Sequence, residues 1–282
     1  RNEEVNRCIA EAAEGKNRTV EFTVHKKRLQ MLANPVYTNG EQIGVICIIV
    51  DVTGVKEVER LRREFTANVS HELKTPLTSI SGYAEMIESG IAKEDDVKAF
   101  AGKIHREAGR LVTLIGDIIK LSQLEEEPTQ IKDGGFADLQ MIVQECADTL
   151  SLSAQKHDVT IETDLAPCKV KGEHALLYEL VYNLCDNAIR YNRQGGKVCI
   201  TLKQHNGNTV LSVKDTGIGI PKEHQSRIFE RFYRVDKSRS KQTGGTGLGL
   251  AIVKHVAERY HAQLHLKSEE GKGTEITVTF QA

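Results

Sequence analysis

The chain has 282 residues, and its 38 Lys and Arg against 39 Asp and Glu leave a formal net charge of −1. This balance gives no overall field that would draw the chain to nucleic acid or to a membrane surface. The six cysteines are scattered without a Cys-x-x-Cys pair, which indicates reduced thiols rather than disulfides or zinc ligands. No apolar run reaches about 18 residues, so no transmembrane helix is predicted within the chain. The length predicts two or three domains.

Residues 1–54 are predicted to form a separate α+β piece. A short helix is expected over residues 3–14, followed by strands over 19–24, 29–37 and 43–51. Asn39-Gly40 predicts a hairpin turn between the last two strands. A piece of this size rarely encloses a core of its own. The sequence leaves open whether it holds a ligand pocket or only relays a signal.

Residues 55–127 are predicted to form a long helical hairpin, because apolar residues recur at steps of three and four. The first helix carries them at Val55, Val58, Leu61, Phe65, Val69, Leu73, Leu77, Ile80, Ala84 and Ile87, and the second at Val97, Phe100, Ile104, Ala108, Leu111, Ile115, Ile118, Leu121 and Leu124. Ser89-Gly90 separates the two helices, and acidic residues 94–96 open the second one. Since two helices cannot enclose a core, two hairpins are predicted to pair as a dimeric four-helix bundle.

His71 is the most informative residue of the first helix. It lies two residues from both Val69 and Leu73, which at about 100° per residue puts it nearly opposite the apolar stripe and therefore in solvent. Glu72 offers a carboxylate that can hold the Nδ1 proton and leave Nε2 as a nucleophile. Thr75 shares the His71 face, and Pro76 predicts a bend just below it. The alternative is a His that is simply solvated surface.

A linker over residues 128–135 precedes a last domain over residues 136–282. This domain is predicted to contain helices over 138–156, 173–191 and 247–260, and strands over 159–162, 198–204, 209–214, 263–268 and 275–280. That order indicates an α/β sandwich with a mostly antiparallel sheet. On its second helix, Asn183 and Asn187 project from one face. An amide oxygen suits Mg²⁺, which binds largely through phosphates.

Five short motifs occur in one order along the chain. They are Phe65–Thr78 around His71-Glu72-Leu73-Lys74-Thr75-Pro76, Asn183–Tyr191, Asp215-Thr216-Gly217-Ile218-Gly219, Phe229–Arg234, and Gly245-Thr246-Gly247-Leu248-Gly249-Leu250. Together they resemble the boxes of two-component sensor histidine kinases, in particular membrane kinases that sense phosphate or the cell wall. The resemblance implies a HisKA-type phospho-acceptor hairpin and a GHKL-type ATP-binding domain of the Bergerat fold. The end of the first piece, residues 46–53, resembles the close of a PAS domain.

The resemblance also implies roles for individual residues. His71 would accept the phosphoryl group, with Glu72 as base, and Glu72-x-x-Thr75 resembles the motif by which such kinases dephosphorylate their regulator. ATP would be held by Asn183, Asn187, Arg190, Tyr191, Asp215, Gly217, Gly219, Gly245, Thr246, Gly247, Leu248 and Gly249, with Asn187 as the Mg²⁺ ligand. Arg234 would contact the γ-phosphate. A polar, basic lid would include Lys237, Arg239 and Lys241, although these side chains can equally be solvated charge. The family usually has Lys where this chain has Arg190. Asp215 alone would also fit an ordinary turn. Gly271-Lys272-Gly273-Thr274 resembles a further turn of the family, although by itself it fits an ordinary hairpin.

The activity implied is ATP-dependent autophosphorylation of His71, followed by transfer to an aspartate on a response regulator receiver domain. A homodimer is implied, located in the cytoplasm of a bacterium and attached to the membrane through an anchor upstream of this chain. No nucleic-acid partner is expected. Two alternatives from other classes remain: a signalling scaffold with an inert nucleotide site, and a chaperone or topoisomerase ATPase of the same fold. The second alternative would not need an exposed His on a dimerising hairpin.

Overall fold

The computed structural model describes residues 3–126, 135–236 and 245–281. The chain divides into two compact units, residues 1–72 and 73–282, and each is described by itself. The helices are α1 (Glu3–Ala13), α2 (Thr53–Glu88), α3 (Glu94–Glu126), α4 (Leu139–Lys156), α5 (His174–Arg190), α6 (Lys222–Gln225) and α7 (Gly249–Arg259). The strands are β1 (Arg18–Val24), β2 (Lys27–Thr38), β3 (Glu41–Asp51), β4 (Phe136–Asp138), β5 (Val159–Leu165), β6 (Lys169–Lys171), β7 (Gly196–His205), β8 (Asn208–Asp215), β9 (Gln263–Glu269) and β10 (Gly273–Phe280).

The first unit opens with α1 on a three-stranded antiparallel sheet of order β1-β2-β3. Asn39 and Gly40 both have positive φ, as a two-residue hairpin turn requires, which confirms the predicted turn. The core of this piece is small and consists of Cys8, Ala12, Met31 and Ala33. The predicted helix and strands are therefore confirmed. The likeness to a PAS domain stays a prediction.

The predicted helical hairpin consists of α2 and α3, and Gly90, with φ +71°, lies in the turn between them. Near this turn the rings of Tyr83 and Phe100 pack with centroids 5.3 Å apart. The side chains of the predicted apolar stripe are mostly exposed or half-buried within the single chain, and the described part of α2 has Pro76 as its one buried residue. A hairpin alone thus encloses no core. The α2 helix continues through Pro76, and the bend expected there stays a prediction.

The second unit contains a five-stranded sheet of order β5-β7-β8-β10-β9. Its β5–β7 pair is parallel and its other pairs are antiparallel. The helices α4, α5 and α7 contribute their buried apolar faces to its core, which confirms the predicted α/β sandwich. Sequence analysis missed β4, β6 and α6, because segments of three or four residues are too short to show a hydrophobic period. Within the described ranges, none of the helices is both long and apolar enough to cross a membrane.

Candidate functional site

The phospho-acceptor segment lies on α2. His71 is exposed, as predicted from its position opposite the apolar stripe. Glu72 is half-buried, and Thr75 is exposed one helical turn further along the same helix. The imidazole is therefore accessible to a large reaction partner, and a carboxylate lies beside it in the chain.

The motif Asn183–Tyr191, here called the Asn box, begins on the outward face of α5, whose opposite face is buried in the core through Leu177, Leu180 and Leu184. The amide nitrogens of Asn183 and Asn187 donate to backbone carbonyls one turn earlier, each at 2.8 Å. One hydrogen of each nitrogen is thus used within the helix, and the amide oxygen is an acceptor that can bind a ligand.

The start of α7 packs tightly against this box. A Cβ at Gly249 would lie 2.6 Å from Oδ1 of Asn183, so a side chain at position 249 would displace this amide. The end of α5 is held just as closely, because the carbonyl oxygen of Tyr191 accepts from the Ile218 amide at 3.1 Å. Arg190 donates through Nε to Asp186 at 2.6 Å. The guanidinium is thus already held by an acid one turn earlier on its own helix.

Asp215 ends β8 and is only 8% exposed. Its Oδ1 accepts from the Gly217 amide at 2.8 Å and from the Thr274 amide at 3.2 Å. Burial raises the pKa of this carboxyl, and the two backbone hydrogen bonds oppose that shift. An ordinary turn and a binding role are therefore compatible for Asp215. One carboxylate oxygen accepts from the loop amides, and the side chain also lines a cavity.

The glycines around Asp215 allow distant backbone segments to pack closely. A Cβ at Gly217 would collide with the carbonyl oxygen of Tyr191, one at Gly219 with that of Glu269, and one at Gly273 with that of Asp215. Gly219 and Gly273 also have φ of +67° and +111°. Gly217 and Gly219, which the resemblance assigns to ATP binding, here allow backbone to pack against backbone. In the turn over residues 271–274, Thr274 donates to Asp215 and lines the cavity.

The motif over residues 245–250, here called the second Gly box, leads into α7. Thr246 is 8% exposed, and its hydroxyl donates to Asp117 of α3 at 2.7 Å and accepts from the Leu248 amide at 3.3 Å. Arg234 donates to the carbonyl oxygen of Gly245. Gly247 has φ +75° and comes close to the Phe232 backbone, so α7 begins at Gly249, two residues later than predicted.

These segments surround a cavity of about 630 Å³. The predicted residues that line it are Asn183, Asn187, Arg190, Tyr191, Asp215, Gly219, Arg234, Gly245, Thr246, Gly247 and Gly249. Gly217 and Leu248 support it from outside, and Leu248 is fully buried in the core. Thr75 is not among the lining residues, and His71 and Glu72 belong to the other unit.

Several lining residues were missed by sequence analysis. They are Thr113, Asp117 and Lys120 from α3, Tyr178 and Tyr182 from α5, and the apolar Ile218, Ile220, Ile228 and Ile276. The one sequence signal for Asp117 was an acid inside an apolar run of a helix. The expected lid residues Lys237, Arg239 and Lys241, and residues 127–134, which include nearly all of the expected linker, lie outside the described residues.

The cavity also bears on the metal expected at Asn187. Among the described residues there is no cluster of three His, Cys, Asp or Glu that would form an all-protein metal site. A single neutral amide oxygen fits Mg²⁺ only when phosphates and waters supply the other ligands. The residues present therefore fit a cation that arrives with a nucleotide.

Comparisons with known proteins agree with this geometry. The family described as "His Kinase A (phospho-acceptor) domain" matches residues 61–127. The family described as "Histidine kinase-, DNA gyrase B-, and HSP90-like ATPase" matches residues 172–282. SenX3, a sensor-like histidine kinase of Mycolicibacterium smegmatis, is 41% identical over 244 residues, which are 86% of this chain and 63% of the relative. The sensor protein kinase WalK of Staphylococcus aureus is 37% identical over 249 residues, 86% of this chain and 59% of the relative.

The chain belongs to the sensor histidine kinases. It spans less than two thirds of the length of these relatives. Among solved structures, the Acinetobacter baumannii histidine kinase AdeS matches at 25% identity with a TM-score of 0.61, over 75% of this chain and 97% of that one. The histidine kinase ThkA, solved with the response regulator protein TrrA, shares the fold at 20% identity and a TM-score of 0.61, over 98% of this chain and 82% of that one. The predicted family, the helical hairpin and the α/β sandwich are confirmed. The pairing of two hairpins in a dimer and the PAS-like first segment stay predictions.

Proposed function

We propose that this chain is a protein histidine kinase that binds ATP in the cavity of its second unit and phosphorylates itself on His71. The observation that carries the proposal is the joint presence of an exposed His71 on a phospho-acceptor helix and a cavity lined by the Asn box, Asp215 and the second Gly box. The proposal includes the domain division predicted from sequence, with residues 55–127 as phospho-acceptor hairpin and residues 136–282 as catalytic domain.

The residues divide the reaction between them. The Asp215 carboxylate would accept a hydrogen bond from the exocyclic amino group of adenine. Arg190 and Arg234 would donate hydrogen bonds to phosphate oxygens. The Nε2 atom of His71 would attack the γ-phosphorus, forming an N–P bond while the bond to the ADP oxygen breaks. Glu72 would hold the proton at Nδ1 and keep Nε2 nucleophilic. The phosphoryl group would then pass to an aspartate carboxylate of a response regulator.

Mg²⁺ would supply charge neutralisation and orientation of the phosphates, and the amide oxygen of Asn187 is its proposed protein ligand. The exposed apolar positions of the hairpin, which include Val55, Val58, Leu61 and Leu77, support a homodimer that covers them. A response regulator is the proposed partner, as TrrA is for ThkA. Membrane attachment outside this chain stays a prediction.

The kinase proposal is tested by incubating the chain with γ-labelled Mg·ATP and following acid-labile label. We expect His71→Gln to take up no label while binding ATP normally. His105→Gln is the matched control, because His105 is also exposed on the hairpin, on α3, and should be labelled like wild type. Label that persists on the His71 variant would contradict the proposal.

Thr75 carries a second proposed activity, the dephosphorylation of the regulator. A hydroxyl one turn from His71 can orient the water that hydrolyses an aspartyl phosphate. Thr75→Ala should keep autophosphorylation within a few-fold and lose most phosphatase activity, with a stability change within about 0.5 kcal/mol because Thr75 is exposed. A variant that keeps phosphatase activity and loses kinase activity would reverse the roles of Glu72 and Thr75.

A further inference from the structure

One wall of the nucleotide cavity comes from α3. Thr113, Asp117 and Lys120 line the cavity, and their spacing of four and three residues puts them on one face of that helix. Lys120 forms an ion pair with Glu179 of α5. The second helix of the phospho-acceptor hairpin therefore contacts the nucleotide domain directly at its binding cavity.

Asp117 accepts a hydrogen bond from the Thr246 hydroxyl, the group of the second Gly box with which a phosphate would otherwise interact. The Thr246 hydroxyl has a single hydrogen, and it is donated to the Asp117 carboxylate at 2.7 Å. The same hydroxyl oxygen accepts from the Leu248 amide at 3.3 Å, at the entrance to α7. Backbone amides at a helix start are donors that a phosphate oxygen commonly uses. Here the Leu248 amide donates to the Thr246 hydroxyl instead, and that hydroxyl donates to the Asp117 carboxylate.

The acidic groups around Asp117 would repel a triphosphate bound beside it. Burial is the main cause that raises the pKa of its carboxyl, and the negative charges of Glu179 and Asp186 add to the shift. The Thr246 hydroxyl and Lys120 oppose it. Three acids thus lie on one side of the cavity, and a phosphate group brought beside them would meet like charge in a partly buried setting.

The other cationic donors at this end have protein acceptors too. Arg234 donates to the Gly245 carbonyl, and Arg190 donates to Asp186. The groups that would hold phosphates are thus satisfied by the protein in the arrangement that the structure describes. Of these acceptors, Asp117 is the one that comes from the phospho-acceptor hairpin.

We propose that Asp117 competes with the ATP phosphates for Thr246, so that docking of α3 on the nucleotide domain and binding of Mg·ATP oppose each other. The inference rests on the proposed function, because it takes ATP as the ligand of this cavity. Since coupling between two binding events is reciprocal, ATP weakens the α3 contact to the same degree that the contact weakens ATP binding. Nucleotide binding then releases the hairpin from the domain that must phosphorylate it.

The test compares Mg·ATP dissociation constants of the whole chain by titration calorimetry. Asp117→Ala removes both the charge and the hydrogen bond and should bind Mg·ATP about tenfold more tightly than wild type. Asp117→Asn keeps an acceptor for Thr246 without the charge, and its affinity should lie between the two. Asp95→Ala is the matched control, because Asp95 is an exposed acid in the first turn of the same helix, and it should bind like wild type.

Two negative results have different meanings. If wild type binds Mg·ATP and Asp117→Ala binds it equally or more weakly, Asp117 is not a competitor and this inference is overturned while the proposed function stands. If neither wild type nor any variant binds Mg·ATP, the proposed function fails and the inference falls with it.

Discussion

The two ends of the nucleotide cavity are built in different ways. At the Asp215 end, formed by Asp215, Gly217, Gly219 and Thr274, backbone packs on backbone and amides hold the carboxylate. At the Thr246 end, formed by Thr246, Arg190 and Arg234, side chains donate hydrogen bonds to acceptors of the protein. The first arrangement cannot change without moving two loops. The second can change by exchanging a few hydrogen bonds, so we infer that base recognition is preformed and phosphate recognition is switchable.

The largest expected effect comes from breaking the Asp215 end at Gly219. Gly219→Ala would force a Cβ against the carbonyl oxygen of Glu269 at a φ of +67°. We expect the free energy of unfolding to fall by about 3 kcal/mol in urea titrations. Gly271→Ala is the control, because its φ is +79° but nothing lies within 4 Å of an added Cβ. It should cost only about 1 kcal/mol, and equal losses would show that the close packing has no importance.

An intermediate effect is expected at Asp215. Asp215→Asn keeps an oxygen for the two backbone amides but no longer offers a carboxylate to an amino group. We expect Mg·ATP affinity to fall about 100-fold, because a hydrogen bond to a charged, buried acceptor is lost. Titration calorimetry on wild type and variant would measure the change in affinity. An affinity within about two- to threefold of wild type would contradict a role of Asp215 in recognising the base.

The same substitution should change the pH dependence of stability. Burial raises the pKa of Asp215 above its ordinary value of 3.8, so the folded state binds this proton more readily than the unfolded state. The carboxyl contributes stability that is fully present below pH 3.8 and is lost as the pH rises through the raised pKa. At pH 7 we therefore expect Asp215→Asn to be more stable than wild type by about 1 kcal/mol. Urea titrations at several pH values should show the difference shrinking toward acid, and a constant difference would contradict this origin.

The smallest expected effect concerns the Thr246 end. Arg234→Gln removes a guanidinium that donates to a loop carbonyl at the rim of the cavity, and stability should change by about 1 kcal/mol. Mg·ATP affinity should fall about tenfold and Mg·ADP affinity less, because the residue is proposed to contact the γ-phosphate. An equal loss of affinity for Mg·ATP and Mg·ADP would contradict a contact between Arg234 and the γ-phosphate.

The two ends of the cavity also differ in how much of them the sequence could predict. Asp215 was found because a strand followed by Asp-x-Gly-x-Gly is a local pattern, and the helices and longer strands were found because their apolar period is local. The partners were not found. Gly219 packs against Glu269, and Thr246 bonds to Asp117, which lies 129 residues away. Such contacts depend on how distant elements pack, and no short-range pattern encodes them.

The most direct measurement is a crystal structure of the whole chain with Mg²⁺ and a non-hydrolysable ATP analogue. We expect the Asp215 carboxylate to accept from the adenine amino group while its hydrogen bonds from Gly217 and Thr274 stay in place. At the other end, the Thr246 hydroxyl should have left Asp117, with phosphate oxygens at the start of α7. A bound nucleotide whose phosphates coexist with an intact Asp117–Thr246 hydrogen bond, or whose base lies away from Asp215, would contradict the account.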